Sequence, residues 1–292
     1  MTIGLITRDA QLYSSKRLAE AAYARGHNII LIDALKCWLS LGKGTAGIFS
    51  DSVCLPLPQA IIPRIGSSMT YRGSTLIRQF EIQGVFTTTS SESLLKSRDK
   101  LTASQLLVGS GIQIPFTVYP NVNSDFHLLV NHFKDFPFLV KAISSTHGDG
   151  IELVKNLEEL IEVTAFLTRN NRRYIFQEFV EESNGEDFRI FVIGKTVIAS
   201  MKRKASSNDF RSNLHLGGSA EYADVTDEIK NIAVKACQTL GLLIGGVDII
   251  ISNNGPLVLE VNPSPGLEGI EQATGIDIAG KIISFIEDNV LK

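Results

Sequence analysis

Asp248-Ile249-Ile250-Ile251-Ser252-Asn253-Asn254-Gly255-Pro256-Leu257-Val258-Leu259-Glu260-Val261-Asn262 is the stretch that decides how this chain folds. Asn253, Asn254 and Gly255 are turn formers between two apolar, partly β-branched runs, the pattern of a β-hairpin. A three-residue loop that pairs residue 252 with residue 256 sets Asp248 directly opposite Glu260. Side chains alternate along a strand, so 248, 250 and 252 share a face with 258, 260 and 262. Asp248, Glu260 and Asn262 then gather three oxygen-bearing side chains at one end of one face. Carboxylates facing each other across strands repel unless a cation lies between them. Magnesium takes one or two carboxylates alongside phosphates, so the trio is a candidate metal site. Pro263-Ser264-Pro265-Gly266 breaks the strand immediately afterwards.

Upstream, Lys141 ends the otherwise apolar run Phe138-Leu139-Val140. A charge there is costly unless partnered. Ser144-Ser145-Thr146-His147-Gly148-Asp149-Gly150 follows, small and turn residues whose amides can cover phosphates. Lys141 with this loop is therefore a candidate phosphate site. Lys100, after Arg98-Asp99, is a candidate second phosphate lysine, although its position alone reads as an exposed helix residue. Gln177-Glu178-Phe179-Val180-Glu181 ends a strand and runs into a loop, a crossover that can offer backbone groups to an adenine edge and a carboxylate to ribose. Asp187 and Arg189 alternate on the next strand and share a face. Arg211-Ser212-Asn213, beyond the basic stretch Lys202-Arg203-Lys204, suits an anionic group.

Other motifs fail on inspection. Gly275 to Lys281 approaches a P-loop, but Ile282 stands where Ser or Thr is required, so it reads as a helix start. Gly42-Lys43-Gly44-Thr45 lacks the upstream glycine. The five histidines show no zinc spacing, and no Ser-His-Asp arrangement can be argued.

Residues 2–6 read as a buried strand, 14–25 as a helix and 28–33 as a strand, an opening β-α-β unit. Strand-like segments at 53–57 and 60–62 and a helix at 75–83 complete a small parallel α/β domain ending near residue 97. It is Rossmann-like in shape without the glycine fingerprint, which counts against a dinucleotide-dependent oxidoreductase. From Arg98 onward strands and helices mix without strict alternation, which predicts α+β lobes. With 28 basic and 31 acidic residues the net charge is −3, giving no global attraction to nucleic acid or anionic membranes. The longest apolar run, 240–251, is interrupted by Asp248 and is too short to span a bilayer. No signal peptide is legible, and Cys37, Cys54 and Cys237 are odd in number and far apart. A reducing, cytoplasmic location is expected.

A lysine, a glycine-bearing loop, strand-to-loop acids, Asp-x-Arg and Asp…Glu-x-Asn, in that order, resemble the ATP-grasp superfamily. Longer strings resemble RimK-type glutamate ligases over nearly the whole chain. They include Arg8-Asp9 with Leu12-Tyr13-Ser14, Pro63-Arg64-Ile65-Gly66, Arg78-Gln79-Phe80-Glu81 and Arg98-Asp99-Lys100-Leu101. Further matches run from Asp209 to His215, from Asn262 to Glu271 and from Thr274 to Lys281. The resemblance implies a mixed α/β and α+β chain, an ATP-grasp fold preceded by a small parallel Rossmann-like pre-ATP-grasp domain. The expected units are 1–97, 98–178 and 179–292, the last two being the central and C-terminal ATP-grasp lobes.

The same resemblance implies that Lys141, Glu178, Phe179, Asp187, Arg211, Ser212 and Asn213 contact ATP; Lys100 joins the cofactor-binding set as the candidate second phosphate lysine read from its position. Lys141 and Arg211 are the expected catalytic cations. Asp248, Glu260 and Asn262 are expected to hold two magnesium or manganese ions. The implied reaction adds L-glutamate to the C-terminal glutamate of a small-subunit ribosomal protein through an acyl phosphate, releasing ADP, and some relatives make glutamate oligomers. A homo-oligomer without nucleic-acid or membrane partners is expected. The chain departs from the family at Ser145-Thr146-His147-Gly148-Asp149-Gly150, where relatives look like Gly-Thr-Gln-Gly-x-Gly, and at Asn262-Pro263 in place of Asn-Ala or Asn-Ser. Two alternatives stay open: the same chemistry on a small-molecule acceptor, and a non-catalytic ATP-binding regulatory module.

Overall fold

The computed structural model describes residues 1–42, 45–121, 125–133, 136–143, 150–206 and 217–290. The chain opens with β1 (Thr2–Ile6), α1 (Tyr13–Ala24) and β2 (Asn28–Ile32). β1 is buried along nearly its whole length, with Ile3, Leu5 and Ile6 fully enclosed. A small antiparallel sheet of β3 (Cys37–Gly42), β4 (Thr45–Ser50) and β5 (Val53–Cys54) comes next. The sequence pattern announces neither β3 nor β4, and the segment 53–57, expected in the parallel sheet, lies outside it. In fact Val53 and Cys54 pair antiparallel with β4. Trp38 stacks on Phe49 across β3 and β4, ring centres 4.1 Å apart.

β6 (Ala60–Pro63), α2 (Thr70–Glu81) and β7 (Phe86–Thr87) complete a parallel sheet in the order β2-β1-β6-β7. The chain steps outward from β1 to β2, then returns to lay β6 on the other side of β1. That reversal is a topological switch point, where the carboxyl ends of neighbouring strands diverge and leave a crevice.

α3 (Ser91–Arg98) and α4 (Lys100–Gly109) are separated by Asp99, whose extended backbone breaks the helix. Its side chain caps α4 by accepting from Thr102 N at 2.9 Å. Then follow β8 (Thr117–Val118), α5 (Phe126–His132), β9 (Phe138–Ala142), β10 (Ile151–Val154), α6 (Leu157–Arg169) and β11 (Tyr174–Glu178). The sheet order is β10-β9-β11-β8, all antiparallel. Its two faces follow the period of two. Phe138, Val140 and Phe176 meet Leu160 and Leu167 of α6 in one core, whereas Leu139, Lys141, Ile175 and Gln177 face a cavity. α6 is held there because Leu160, Thr164 and Leu167, at helical spacing, are its buried stripe.

The last part comprises β12 (Glu186–Ile193), β13 (Thr196–Lys204), β14 (Ser219–Tyr222), α7 (Asp227–Leu240), β15 (Ile244–Ser252), β16 (Gly255–Asn262), α8 (Glu268–Thr274) and α9 (Ile278–Val290). Its sheet runs β14-β13-β12-β15-β16. One face, with Ile190, Val192, Val247 and Ile249, packs on Ala233, Ala236, Cys237 and Leu240 of α7. The other joins Phe191, Ile193 and Met201 to Ile270, Ile282 and Ile286, and to Ile3, Leu5 and Leu18 of the N-terminal unit. Each fully buried aliphatic side chain contributes roughly 1.5–3 kcal/mol. This shared core therefore fixes the N-terminal sheet against the C-terminal one.

The deciding hairpin forms, with a different register from the one expected. Ser252 pairs with Gly255, so the turn is two residues, and Ile249 pairs with Val258. A bulge then leaves Leu259 as the extra residue and restores Asp248 opposite Glu260. Val258 consequently turns into the α7 core rather than sharing the face of Asp248.

Candidate active site

A cavity of about 870 Å³ opens between the three larger sheets. Lys141 enters it from β9 and is only 8% exposed. Its Nζ donates to Gln177 Oε1, and Gln177 Nε2 donates to Thr117 Oγ1 at 3.0 Å. Burial, and then the charge of Lys100, push the Lys141 amine down to about 8. Lys100, expected from position alone to be exposed, instead lines the cavity, and burial lowers its pKa as well. Two further cations occupy the same wall. Arg98 is lowered by burial, and Arg64 is brought down to about 10 by burial and by Arg98. The acid that offsets Arg98, Lys100 and Lys141 is Glu260. Four partly or wholly desolvated cations around one space favour a polyanionic ligand.

The sheet beside this wall carries an interleaved set of acids and arginines. Asp187 on β12 is the direct cross-strand partner of Arg203 on β13, and Arg189 on β12 that of Asp248 on β15. Arg203 forks onto both oxygens of Asp187, with Nε to Oδ1 at 2.7 Å, and also reaches Asp248 Oδ2 at 2.9 Å. Asp187, Arg203 and Asp248 are buried, at 4%, 5% and 6% exposure. Burial raises the Asp187 carboxyl above its ordinary value. Burial also works against a charged Asp248, yet Arg189 and Arg203 more than offset it and hold that carboxyl low. Burial opposes the charge on Arg203 too, and Asp248 and Asp187 together hold it above the usual arginine value.

Every described residue expected in the nucleotide site reaches the cavity: Lys100, Lys141, Glu178, Phe179 and Asp187. Glu178 ends β11, where its Oε2 accepts from Phe116 N at 3.1 Å and its own N donates to Phe116 O at 2.8 Å. Arg211, Ser212, Asn213 and the loop 144–149 lie outside the described residues.

The candidate metal ligands also line the cavity. Among the described residues no group of three or more His, Cys, Asp and Glu is arranged to bind a metal ion. Asp248 already accepts two hydrogen bonds from Arg189 and an ion-pair contact from Arg203, which leaves about one of a carboxylate's roughly four acceptor positions. Glu260 is exposed to the cavity, and Asn262 Oδ1 accepts from Ser264 N at 3.0 Å. Magnesium usually keeps water and phosphate ligands beside one or two protein oxygens. Glu260 and Asn262, with the remaining position on Asp248, fit that requirement.

Arg64, Arg98, Gln177 and Arg203 were not singled out for the site from the sequence. Arg203 left a signal: on a strand, Lys202 and Lys204 point to the face opposite Arg203. The lysines pair with Glu186 at 2.6 and 3.2 Å, while Arg203 turns inward.

The RimK-like ATP-grasp domain family matches residues 97–286 and the RimK PreATP-grasp domain family residues 1–94. A Shewanella amazonensis protein named "Probable alpha-L-glutamate ligase 1" is 44% identical over 290 residues, covering 98% of this chain and 95% of that protein. A Nitrosococcus oceani protein named "Probable alpha-L-glutamate ligase" is 42% identical over 292 residues, covering 100% and 97%. The ATP-grasp ligase PsnB, solved with a minimal precursor, is similar in structure with a TM-score of 0.76 at 22% identity, over 98% of each chain. D-alanine–D-alanine ligase from Bacillus anthracis is similar with a TM-score of 0.73 at 17% identity, over 100% of this chain and 97% of that one. Those two likenesses show the ATP-grasp fold. The matched domains and the full-length relatives establish that the chain belongs to the RimK-like ATP-grasp ligase family.

Proposed function

We propose that the protein is an ADP-forming ligase that joins the amine of L-glutamate to a carboxylate acceptor. The observation that carries this reading is the set of desolvated cations, Lys141 foremost, on one wall of a cavity whose facing strands bring Glu260 and Asn262. An acceptor carboxylate oxygen attacks the γ-phosphorus of ATP and ADP departs, leaving an acyl phosphate. The glutamate amine then attacks the acyl carbon, the C–O bond to phosphate breaks, and the amine gives up a proton. Lys100 and Lys141 supply fixed positive charge where phosphate charge moves. The backbone at Glu178 and Phe179 takes the adenine edge. Asp187, clamped by Arg203, faces the same nucleotide. Magnesium, held by Glu260, Asn262 and Asp248, would neutralise phosphate oxygens. Manganese serves the same ligands, and two ions are the expected complement. By the family resemblance, Arg211, Ser212 and Asn213 complete the ATP contacts, with Arg211 a second catalytic cation.

The acceptor in this reading is the C-terminal glutamate of a small-subunit ribosomal protein, or a growing glutamate oligomer on it. Peptide acceptors are supported by the PsnB structures, which hold precursor peptides. A cytoplasmic setting is supported by three free cysteines. Among the described residues no helix is long and apolar enough to cross a membrane.

The test is incubation of the full chain with ATP, magnesium, L-glutamate and a peptide ending in glutamate. The expected products are ADP, phosphate and a peptide heavier by glutamyl residues at its C terminus, read by mass spectrometry. AMP as the nucleotide product overturns the reading. ADP release with glutamate and small carboxylic acids, but never with peptides or ribosomal proteins, moves the acceptor to a small molecule.

A further inference from the structure

Two cations in the cavity wall have no task in the reaction just described. Arg64 directly follows β6, and its side chain makes no hydrogen bond or ion pair among the described residues, although it lines the cavity. Arg98, the last residue of α3, donates from Nη2 to Ile65 O at 2.7 Å. Its Nε is buried and has no hydrogen-bond partner among the described residues. Removing a guanidinium from water without a counter-charge is costly; burial lowers the pKa of both groups, and the charge of Arg98 lowers that of Arg64 further.

Their position is as informative as their charge. Thr7 and Arg64 follow the carboxyl ends of β1 and β6, the two strands that flank the switch point, and both line the cavity. Ligands of open α/β sheets bind in such a crevice. Tyr13, Ser14 and Ser15, the first turn of α1, line the same end, and a helix N-terminus adds partial positive charge there. Glu260 offsets Arg98, whereas the charge felt by Arg64 is that of Arg98. The crevice thus presents a guanidinium without a partner among the described residues, a second guanidinium beside it and a helix start. The phosphate lysines stand on other elements, α4 and β9.

A guanidinium matches a carboxylate by two parallel hydrogen bonds, where a lysine offers a point charge. We propose that Arg64 and Arg98 form a carboxylate subsite at the switch point of the N-terminal sheet, which takes the glutamyl group of a substrate. The shared chemistry is the five-carbon dicarboxylate of a glutamyl group. Its two sources are free L-glutamate and the terminal glutamate of the acceptor. The proposal rests on the glutamate-ligase reading and adds the residues that select the acid.

The test uses the full chain with Arg64→Met, Arg98→Met and Arg64→Lys, the last keeping charge while losing the fork. KM is measured separately for ATP, free glutamate and a glutamate-terminated peptide. Arg64→Met is expected to raise KM for one of the two glutamyl substrates by about thirtyfold, the scale of a lost charge-assisted contact, while KM for ATP stays within about twofold. Whichever KM moves names the source, and Arg64→Lys recovers part of the loss. A binding arm needs no turnover: glutarate raises the melting temperature of the wild type and not that of Arg64→Met. If the wild type releases no ADP yet glutarate protection is lost in Arg64→Met, the ligase reading falls and the subsite stands. An active Arg64→Met with both glutamyl KM values unchanged, or equal glutarate protection of both proteins, overturns the subsite and leaves the ligase reading intact. Should Arg64→Met fail to fold, Arg64→Lys is read by the same criteria.

Discussion

Arg189 grips Asp248 with both arms of its guanidinium, Nε to Oδ1 at 2.7 Å and Nη2 to Oδ2 at 2.6 Å. The pair is fixed by strand register, since the two residues are direct partners across β12 and β15. Arg189→Met leaves the buried carboxylates of Asp187 and Asp248 to share Arg203 alone. Unpairing a buried charge costs about 3–5 kcal/mol, so the urea midpoint is expected to fall steeply. Arg189→Lys falls less, because one donor survives. An unchanged midpoint in Arg189→Met would show that the web contributes nothing to the fold.

Lys141 separates binding from stability in the opposite sense. Its amine is desolvated and crowded by Lys100, so Lys141→Met relieves a cost in the free protein. The expected melting temperature without ligand is equal to or above that of the wild type. The KM for ATP rises roughly tenfold or more, about 1.4 kcal/mol of lost interaction per factor of ten. A variant that melts lower and binds ATP normally would assign Lys141 a purely structural role.

Gly246 pairs with Asn262 and lies under the turn that follows it. A Cβ at Gly246 would come 2.8 Å from Cβ of Pro265, so the 263–266 turn must shift. Gly246→Ala is expected to cost about 1–3 kcal/mol through overpacking and to raise the magnesium concentration needed for half-maximal activity. An unaltered magnesium requirement would separate Asn262 from the metal.

Stability has one acid-sensitive clamp outside the site. Arg25 forks onto Glu287, and His27 Nε2 lies 2.7 Å from Glu287 Oε1. The Arg25 hydrogen bond first, and that of His27 after it, hold the Glu287 carboxyl down to about 2 from 4.5. A depressed carboxyl contributes stability that is complete above its unfolded value and is lost as pH falls through the folded one. The clamp joins the chain just after α1 to α9 at a partly exposed site, where solvent screening keeps its contribution small. Chemical denaturation should show wild type above Glu287→Gln at pH 7, with the gap less than half as large near pH 3. A constant gap would mean that the carboxyl titrates alike in both states.

Thiol chemistry offers a check on the packing. Cys37 and Cys237 are buried and Cys54 is exposed. Burial pushes the Cys237 thiol up to about 12 and raises that of Cys37. A native thiol titration should therefore show one fast-reacting group, and all three should react in denaturant. Fast reaction of two or more in the native protein would contradict the core around α7 or β3.

Asp248 facing Glu260 was legible because Asn253 and Asn254 sit between apolar runs, although the pairing comes about differently. A two-residue turn and the extra residue Leu259 take the place of the expected three-residue loop, and no hydrophobic period announces a bulge. Lys141 could be found because a charge interrupts an apolar strand. Arg64 and Arg98 could not. A basic residue at the end of a strand or helix looks like any solvated terminus until other elements close over it, and that closure depends on contacts distant in sequence. The β3–β4 pair is hidden for a related reason: the glycines between Gly42 and Thr45 read as a loop of any kind, while Trp38 and Phe49 declare themselves only by stacking across strands.

The four cations gathered round one cavity tie folding to supply. A bound anion relieves their mutual repulsion only in the folded state, so occupancy and stability rise together, by about 2.7 kcal/mol at a ligand concentration one hundred times Kd. The anion that fills the cavity thus also guards the chain against the unfolding that exposes it to proteases.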